Sequence, residues 1–284
     1  MAVDNTGKSH HPPRIEAETE NEKDHFKFAL GRRKLRMERK KLAGGNKKEG
    51  GLAWNWSDTM AGEISTANIY GLLKVANAYD LLWVPTEIPT ELAYKYKISM
   101  EVNKNTWGMN ITTIRITGLV SCDMKKMFNI LLDVNRRKEW DLMIEEGNIA
   151  TVIDSNNDVE WRVYKELVAS EPGSPRAKKD FALLRTWKYD EDRYIISSRS
   201  IRHPSCPEKE GYDRGEVFPS GFLLTPWSLD DGMGRDEDEV AQTSFDYVIQ
   251  LDENSAKMMD TEGGSFVKIL TGSLNKLCAI LEVS

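Results

Sequence analysis

Of the side chains able to do chemistry in this sequence, Arg185 stands in the least ordinary place. It lies in "KDFALLRTWKYDEDRYIISSRSIRH", residues 179–203, where Phe181, Leu183, Arg185 and Trp187 alternate onto one face of a strand. "YDED" supplies a turn and "RYIISSRSI" a returning strand, so the stretch reads as a hairpin. A guanidinium on an apolar face needs a partner, because an unpaired buried charge is very costly. Once paired, it still keeps N–H donors for a headgroup, a hydroxyl or an ordered water.

Other reactive residue types form no constellation. His203 is the single histidine of the folded part and precedes Pro204, which suits a turn better than a proton relay. His10 and His11 lie in a polar head and lack further ligands for a metal. Cys122, Cys206 and Cys278 are far apart, with no CxxC or Cys/His spacing, which fits a reducing compartment and excludes a disulfide framework. No nucleophile elbow, Walker loop, dinucleotide fingerprint or HExxH is present. The residues therefore predict no catalytic group, no metal and no cofactor, and a chain that is not an enzyme.

Charge divides the 284 residues in two. Residues 1–50 carry 13 Lys and Arg against 8 Asp and Glu, and the remainder 26 against 37. An acidic folded part argues against a nucleic-acid-binding fold and leaves the basic head as the one segment suited to a polyanion. Within that head Phe28, Leu35 and Leu42 recur every seven residues. Three readings stay open for it: a solvated disordered segment, adhesion to an anionic membrane, or a nuclear-import or nucleic-acid patch. The first residues have no apolar leader core and no run approaches the roughly 20 apolar residues of a spanning helix. A cytoplasmic protein is expected.

The elements that must position Arg185 follow from periodicity. Residues 1–52 form the head and a Gly-rich linker, and residues 53–284 one folded domain. A first helix is expected at about 58–83, with Ser57 or Asp58 as cap and Pro85 as stop. Residues 92–252 hold the sheet and short helices. Strands are expected in "YKYKISMEV", "WGMNI", "TTIRITGLV", "GNIATVID", "VEWRVYKEL", "GFLLTP" and "VAQTSFDYVIQL". "SCDMKKMFNILLD" changes to helical period, with Ser121 as the expected cap, and "NRRKEWD" ends that region. "DENSAKMMDTEGG" reads as a polar loop, and about 265–282 as an amphipathic closing helix. This is an α+β layout in which one antiparallel sheet needs a helix to cover it.

"NRRKEWD", "KDFALLRTW", "YIISSRSIRHPSCPEKEG", "SGFLLTP" and the amphipathic last helix, in that order, resemble the START (steroidogenic acute regulatory-related lipid transfer) domain family. The resemblance implies a helix-grip fold, a curved antiparallel sheet wrapped around a long C-terminal helix with an internal hydrophobic tunnel. Trp140 and Asp141 then match a structural "EWD". Some family members hold an ion pair in the tunnel, a Glu facing an Arg nineteen positions later, and Glu166 stands nineteen before Arg185. A surface cross-strand pair, worth under about 1 kcal/mol, is the alternative.

On that reading Tyr164, Glu166, Phe181, Leu183, Arg185, Trp187, Ile196, Phe222, Leu224, Phe245 and Tyr247 make the sheet wall. Leu270, Leu274 and Leu277 make the helical lid. The ligand is expected to be one lipid, a phospholipid, sterol or ceramide, exchanged at a transient and anionic membrane surface. The function expected is non-enzymatic lipid binding and transfer between membranes, or alternatively a lipid sensor that regulates a protein partner.

Overall fold

The computed structural model describes residues 2–3, 9–10, 19, 52–53, 58–165, 178–227, 241–258 and 264–283. Its frame is a long antiparallel sheet. In chain order the elements are α1 (Asp58–Ala76), β1 (Val84–Pro85), α2 (Thr90–Lys95), β2 (Ser99–Asn103), β3 (Thr112–Val120), α3 (Met124–Leu132), α4 (Arg137–Trp140), β4 (Ile144–Asp154) and β5 (Asn157–Tyr164). There follow β6 (Lys178–Asp190), β7 (Arg193–Arg202), β8 (Tyr212–Arg214), β9 (Ser220–Trp227), β10 (Gln242–Leu251), α5 (Glu253–Met258) and α6 (Ser265–Val283). The strand order is β1-β2-β3-β10-β9-β7-β6-β5-β4, and every neighbouring pair along it is antiparallel. Two short parallel additions, β8 on β6 and Leu52–Ala53 on β7, complete the sheet.

Alternation sends each strand's side chains to two buried faces. On the concave face Ile114, Ile116, Ile196, Phe222, Leu224 and Phe245 pack against Phe266, Leu270, Leu274, Leu277 and Leu281 of α6. On the convex face Val159, Ala182 and Leu184 meet Ile64, while Ile195, Leu223 and Val248 meet Leu72 and Val75 of α1. Helix α1 is also fixed by polar groups. Asn68 donates to the Ser197 carbonyl and accepts from the Ser197 hydroxyl, and Ser65 donates to Asn157 at 2.6 Å. Such buried groups hold a helix in one register because each must find its own partner.

Several local expectations are corrected. Helix α1 stops at Ala76, where the Asn77 side chain donates back to the Leu73 carbonyl. Helix α3 is capped by Asp123, which accepts from the Lys126 amide, and not by Ser121. "WGMNI" is a turn, not a strand: Trp107, Gly108 and Asn110 all have positive φ. "YKYK" is shared between α2 and the bend at Lys97, so β2 begins only at Ser99. "DENSAKM" forms α5 in place of part of a loop. The β6–β7 turn has Glu191 and Asp192 both at positive φ, the geometry that suits a two-residue hairpin.

Candidate functional site

The site begins where β5 and β6 lie side by side. Their register sets Asp158 opposite Arg185, Glu160 opposite Leu183, Arg162 opposite Phe181 and Tyr164 opposite Lys179. The even-numbered residues of β5 thus share the concave face with the odd-numbered residues of β6. Arg185 is 2% exposed, and the residue across from it is Asp158. The guanidinium donates from Nε and Nη2 to the two Asp158 oxygens at 2.8 and 2.6 Å, and from Nη1 to the Leu132 carbonyl at 2.9 Å. Glu166 lies outside the described residues.

A second pair stands beside the first. Arg162 donates from Nε and Nη2 to both oxygens of Glu160 at 2.9 and 2.7 Å, and from Nη1 to the Tyr164 hydroxyl at 3.1 Å. Glu160 is fully buried, which raises a carboxyl's pKa. The guanidiniums of Arg162, Arg137 and Arg185 together outweigh burial and hold it at about 2. Arg137, on α4, reaches the same cluster but is poorly matched. Its Nη1 lies 3.8 Å from Asp141, its Nη2 donates to the Leu131 carbonyl at 3.3 Å, and its buried Nε has no acceptor among the described residues. Burial lowers the Arg137 pKa and raises that of Asp141. Burial likewise raises the phenols Tyr164 and Tyr247, so both stay protonated donors.

Above this cluster, under α6, is a hollow of about 50 Å³. Its wall includes Leu131, Arg137, Met143, Arg162, Tyr164, Leu183, Ile196, Ser198, Phe222, Tyr247 and Phe266. Gly221 belongs to the same wall for a steric reason. With φ at 151°, a Cβ there would stand 1.9 Å from the Ile196 carbonyl oxygen. The hollow stands where the internal tunnel was expected, between the sheet and the last helix. The space takes a few waters at the about 10–15 Å³ each requires, far below the roughly 300–1,000 Å³ of ligand pockets. Side chains fill the rest: Phe222 stacks on Tyr247 at 4.0 Å, Trp140 meets Phe222 edge-on, and Leu270, Leu274 and Leu277 are buried in the core.

Of the residues expected in the wall, Tyr164, Leu183, Ile196, Phe222 and Tyr247 line the hollow. Phe181 lies behind it, its ring 4.9 Å from Tyr164, and Leu224 and Phe245 are core beneath α6. Trp187 is half-buried toward the hairpin tip, its ring 6.0 Å from the Arg185 guanidinium. The sequence reading did not single out Arg137, Asp158, Glu160, Arg162 or Ser198. The spacing of charges in "NDVEWRVY" was the signal available for three of them.

The START domain family profile matches residues 63–256. The chain belongs to the START domain family. Membership carries lipid binding and transfer as the family's business, and the fold agrees. Human StAR-related lipid transfer protein 5 superposes with a TM-score of 0.62 at 16% identity, over 79% of this chain and 99% of that one. Two curated relatives point elsewhere as well. "Acetyl-coenzyme A thioesterase" of Mus musculus is 26% identical over 226 residues, 78% of this chain and 37% of that protein. "Acyl-coenzyme A thioesterase 11" of Mus musculus is 25% identical over 213 residues, 74% of this chain and 33% of that protein. The chain spans about a third of the length of these relatives. The expectation that the chain is not an enzyme is therefore withdrawn, because START proteins this similar are named as enzymes.

Proposed function

We propose that this START domain encloses one lipid between the sheet and α6, with its apolar chain along Leu183, Ile196, Phe222 and Phe266 and its polar end at Arg137 and Arg162. One observation carries the reading: two buried guanidiniums reach one mostly apolar hollow beneath a helix held by apolar contacts. Each CH₂ taken from water into such an interior gains about 0.8 kcal/mol, which is what lets a protein replace a bilayer as solvent for one molecule.

Loading requires expansion, and the contacts of α6 support one place for it. Its C-terminal end is latched. Glu282 accepts from Lys95 at 2.9 Å and from the Tyr96 hydroxyl at 3.2 Å, and the Leu281 carbonyl accepts from Lys126. Its middle accepts one bond, from the Leu142 amide to Ser273. Among the described residues the first turns hold chiefly through Phe266 and Leu270, which favours the N-terminal end as the one that lifts. We place the exchange at a cytoplasmic membrane surface, a reading supported by three free thiols, Cys122, Cys206 and Cys278. Among the described residues no helix is long and apolar enough to cross a membrane.

A second reading is favoured by the thioesterase-named relatives: the ligand is an acyl thioester and the chain takes part in its hydrolysis. One set of assays on the full chain tests both. Fluorescent lipid should move between vesicles faster with protein than without it, and acyl-coenzyme A should release free thiol if the second reading holds. Transfer at the protein-free rate, with no thiol released, contradicts both readings.

A further inference from the structure

The polar end of the hollow has an imbalance that bears on which amphiphile fits, an inference that rests on the lipid-binding reading above. Its acceptors are committed. Both Glu160 oxygens take Arg162 donors, and both Asp158 oxygens take Arg185 donors. Of the Asp141 oxygens, one accepts from the Met143 amide and the other faces Arg137. Some of its donors are not committed. Arg137 Nε is buried with no acceptor among the described residues, in a residue only 6% exposed that lines the hollow. The Tyr164 hydroxyl accepts from Arg162 and so has its own proton to give. Tyr247 and Ser198 also face the hollow, and neither hydroxyl makes a hydrogen bond to the described residues.

We propose that the hollow selects an amphiphile whose polar end is an acceptor-only anion, a carboxylate or a phosphate, and rejects a quaternary ammonium. A buried donor left without an acceptor is penalised by its lost hydration, and an anion's oxygens remove that penalty at Arg137, Tyr164 and Tyr247 together. A trimethylammonium has no acceptor to offer and would sit beside Arg137, whose charge Asp141 matches only at 3.8 Å. A neutral hydroxyl accepts, but it carries no charge to set against Arg137.

The test uses four amphiphiles with the same sixteen-carbon chain: hexadecanoate, hexadecyl phosphate, hexadecanol and hexadecyltrimethylammonium. Each is titrated below its micelle concentration into the full chain, with binding read by native mass spectrometry. The anions should bind about ten-fold or more tighter than the other two. Tyr247→Phe keeps the stacked ring and should weaken anion binding about two- to ten-fold while leaving hexadecanol unchanged. Arg137→Met should do the same more strongly; should it fail to fold, Tyr247→Phe alone carries the test. Either order between carboxylate and phosphate supports the proposal and says which source the ligand has. Binding indifferent to the head, or tightest for the ammonium, overturns this inference and leaves lipid binding standing. Binding of none of the four overturns the lipid-binding reading itself.

Discussion

Arg185 and Asp158 face each other across β5 and β6 and form a bidentate ion pair, 2.6 and 2.8 Å, with both residues buried. The pair explains how a guanidinium is kept within an apolar strand face, and it stands beside Glu160, 3.5 Å from Arg185 Nε. Removing one member leaves the other charged and unmatched. Asp158→Ala should therefore destabilise by about 3–5 kcal/mol. Replacing both, as Asp158→Leu with Arg185→Met, should recover most of that loss in urea unfolding, since a well-packed apolar pair of similar volume is often neutral. A double variant as unstable as the single one would mean the pair does more than neutralise itself.

Acid should reveal the second pair. The Glu160 carboxyl is held at about 2, against an ordinary value of 4.5. A lowered folded pKa stabilises fully above the unfolded value and loses that stabilisation as pH falls toward the folded one. Stability should thus decline from about pH 4.5 toward about pH 2 at this residue. Asp141 works against the trend, because its raised pKa makes protonation favour the fold. Glu160→Gln should flatten the decline between those limits, measured as urea midpoints at a series of pH values.

Gly221 carries a steric prediction. Its φ of 151° and the Ile196 carbonyl, 1.9 Å from a built Cβ, leave no room for any side chain. Gly221→Ala should cost about 3 kcal/mol and shift β9 against β7, whereas a change at Gly62, with nothing within 4 Å, should be mild. Thermal unfolding of the two variants makes the comparison.

The latch on α6 concerns exchange more than stability. Glu282→Ala removes the acceptor shared by Lys95 and Tyr96 at the half-exposed end of the helix. Melting should hardly change, as surface pairs contribute little. Ligand exchange should be several-fold faster, and the gain should shrink when the N-terminal turn is cross-linked to a neighbouring element. An exchange rate indifferent to Glu282 would place the hinge elsewhere.

How far the sequence reaches can be seen strand by strand. The inward set on β6, β7, β9 and β10 was legible because Phe181, Leu183, Ile196, Phe222, Leu224 and Phe245 alternate with residues that α1 covers. The amphipathic C-terminal helix was legible for the same reason. On β5 the logic reverses. Val159, Trp161 and Val163 form the apolar face and turn toward α1, while Asp158, Glu160, Arg162 and Tyr164 turn inward. Alternation separates two faces but does not say which is inside, and the usual assumption sends charges to water. Partnership was illegible for a further reason. The β5–β6 register is fixed by the whole sheet, so counting nineteen residues back from Arg185 named Glu166 where the ladder places Asp158. Arg137 became visible only when α4 docked beneath α6 and left its Nε without an acceptor among the described residues.

One lipid per chain is the expected occupant of the hollow under α6. The most direct test is native mass spectrometry of the full chain after incubation with lipid vesicles, beside an Ile196→Trp variant that fills the space lined by Leu183 and Phe222. The unaltered protein should carry one lipid per chain and the variant none, with both folded by circular dichroism. Equal loading of both, or an unaltered chain that emerges empty, would contradict it.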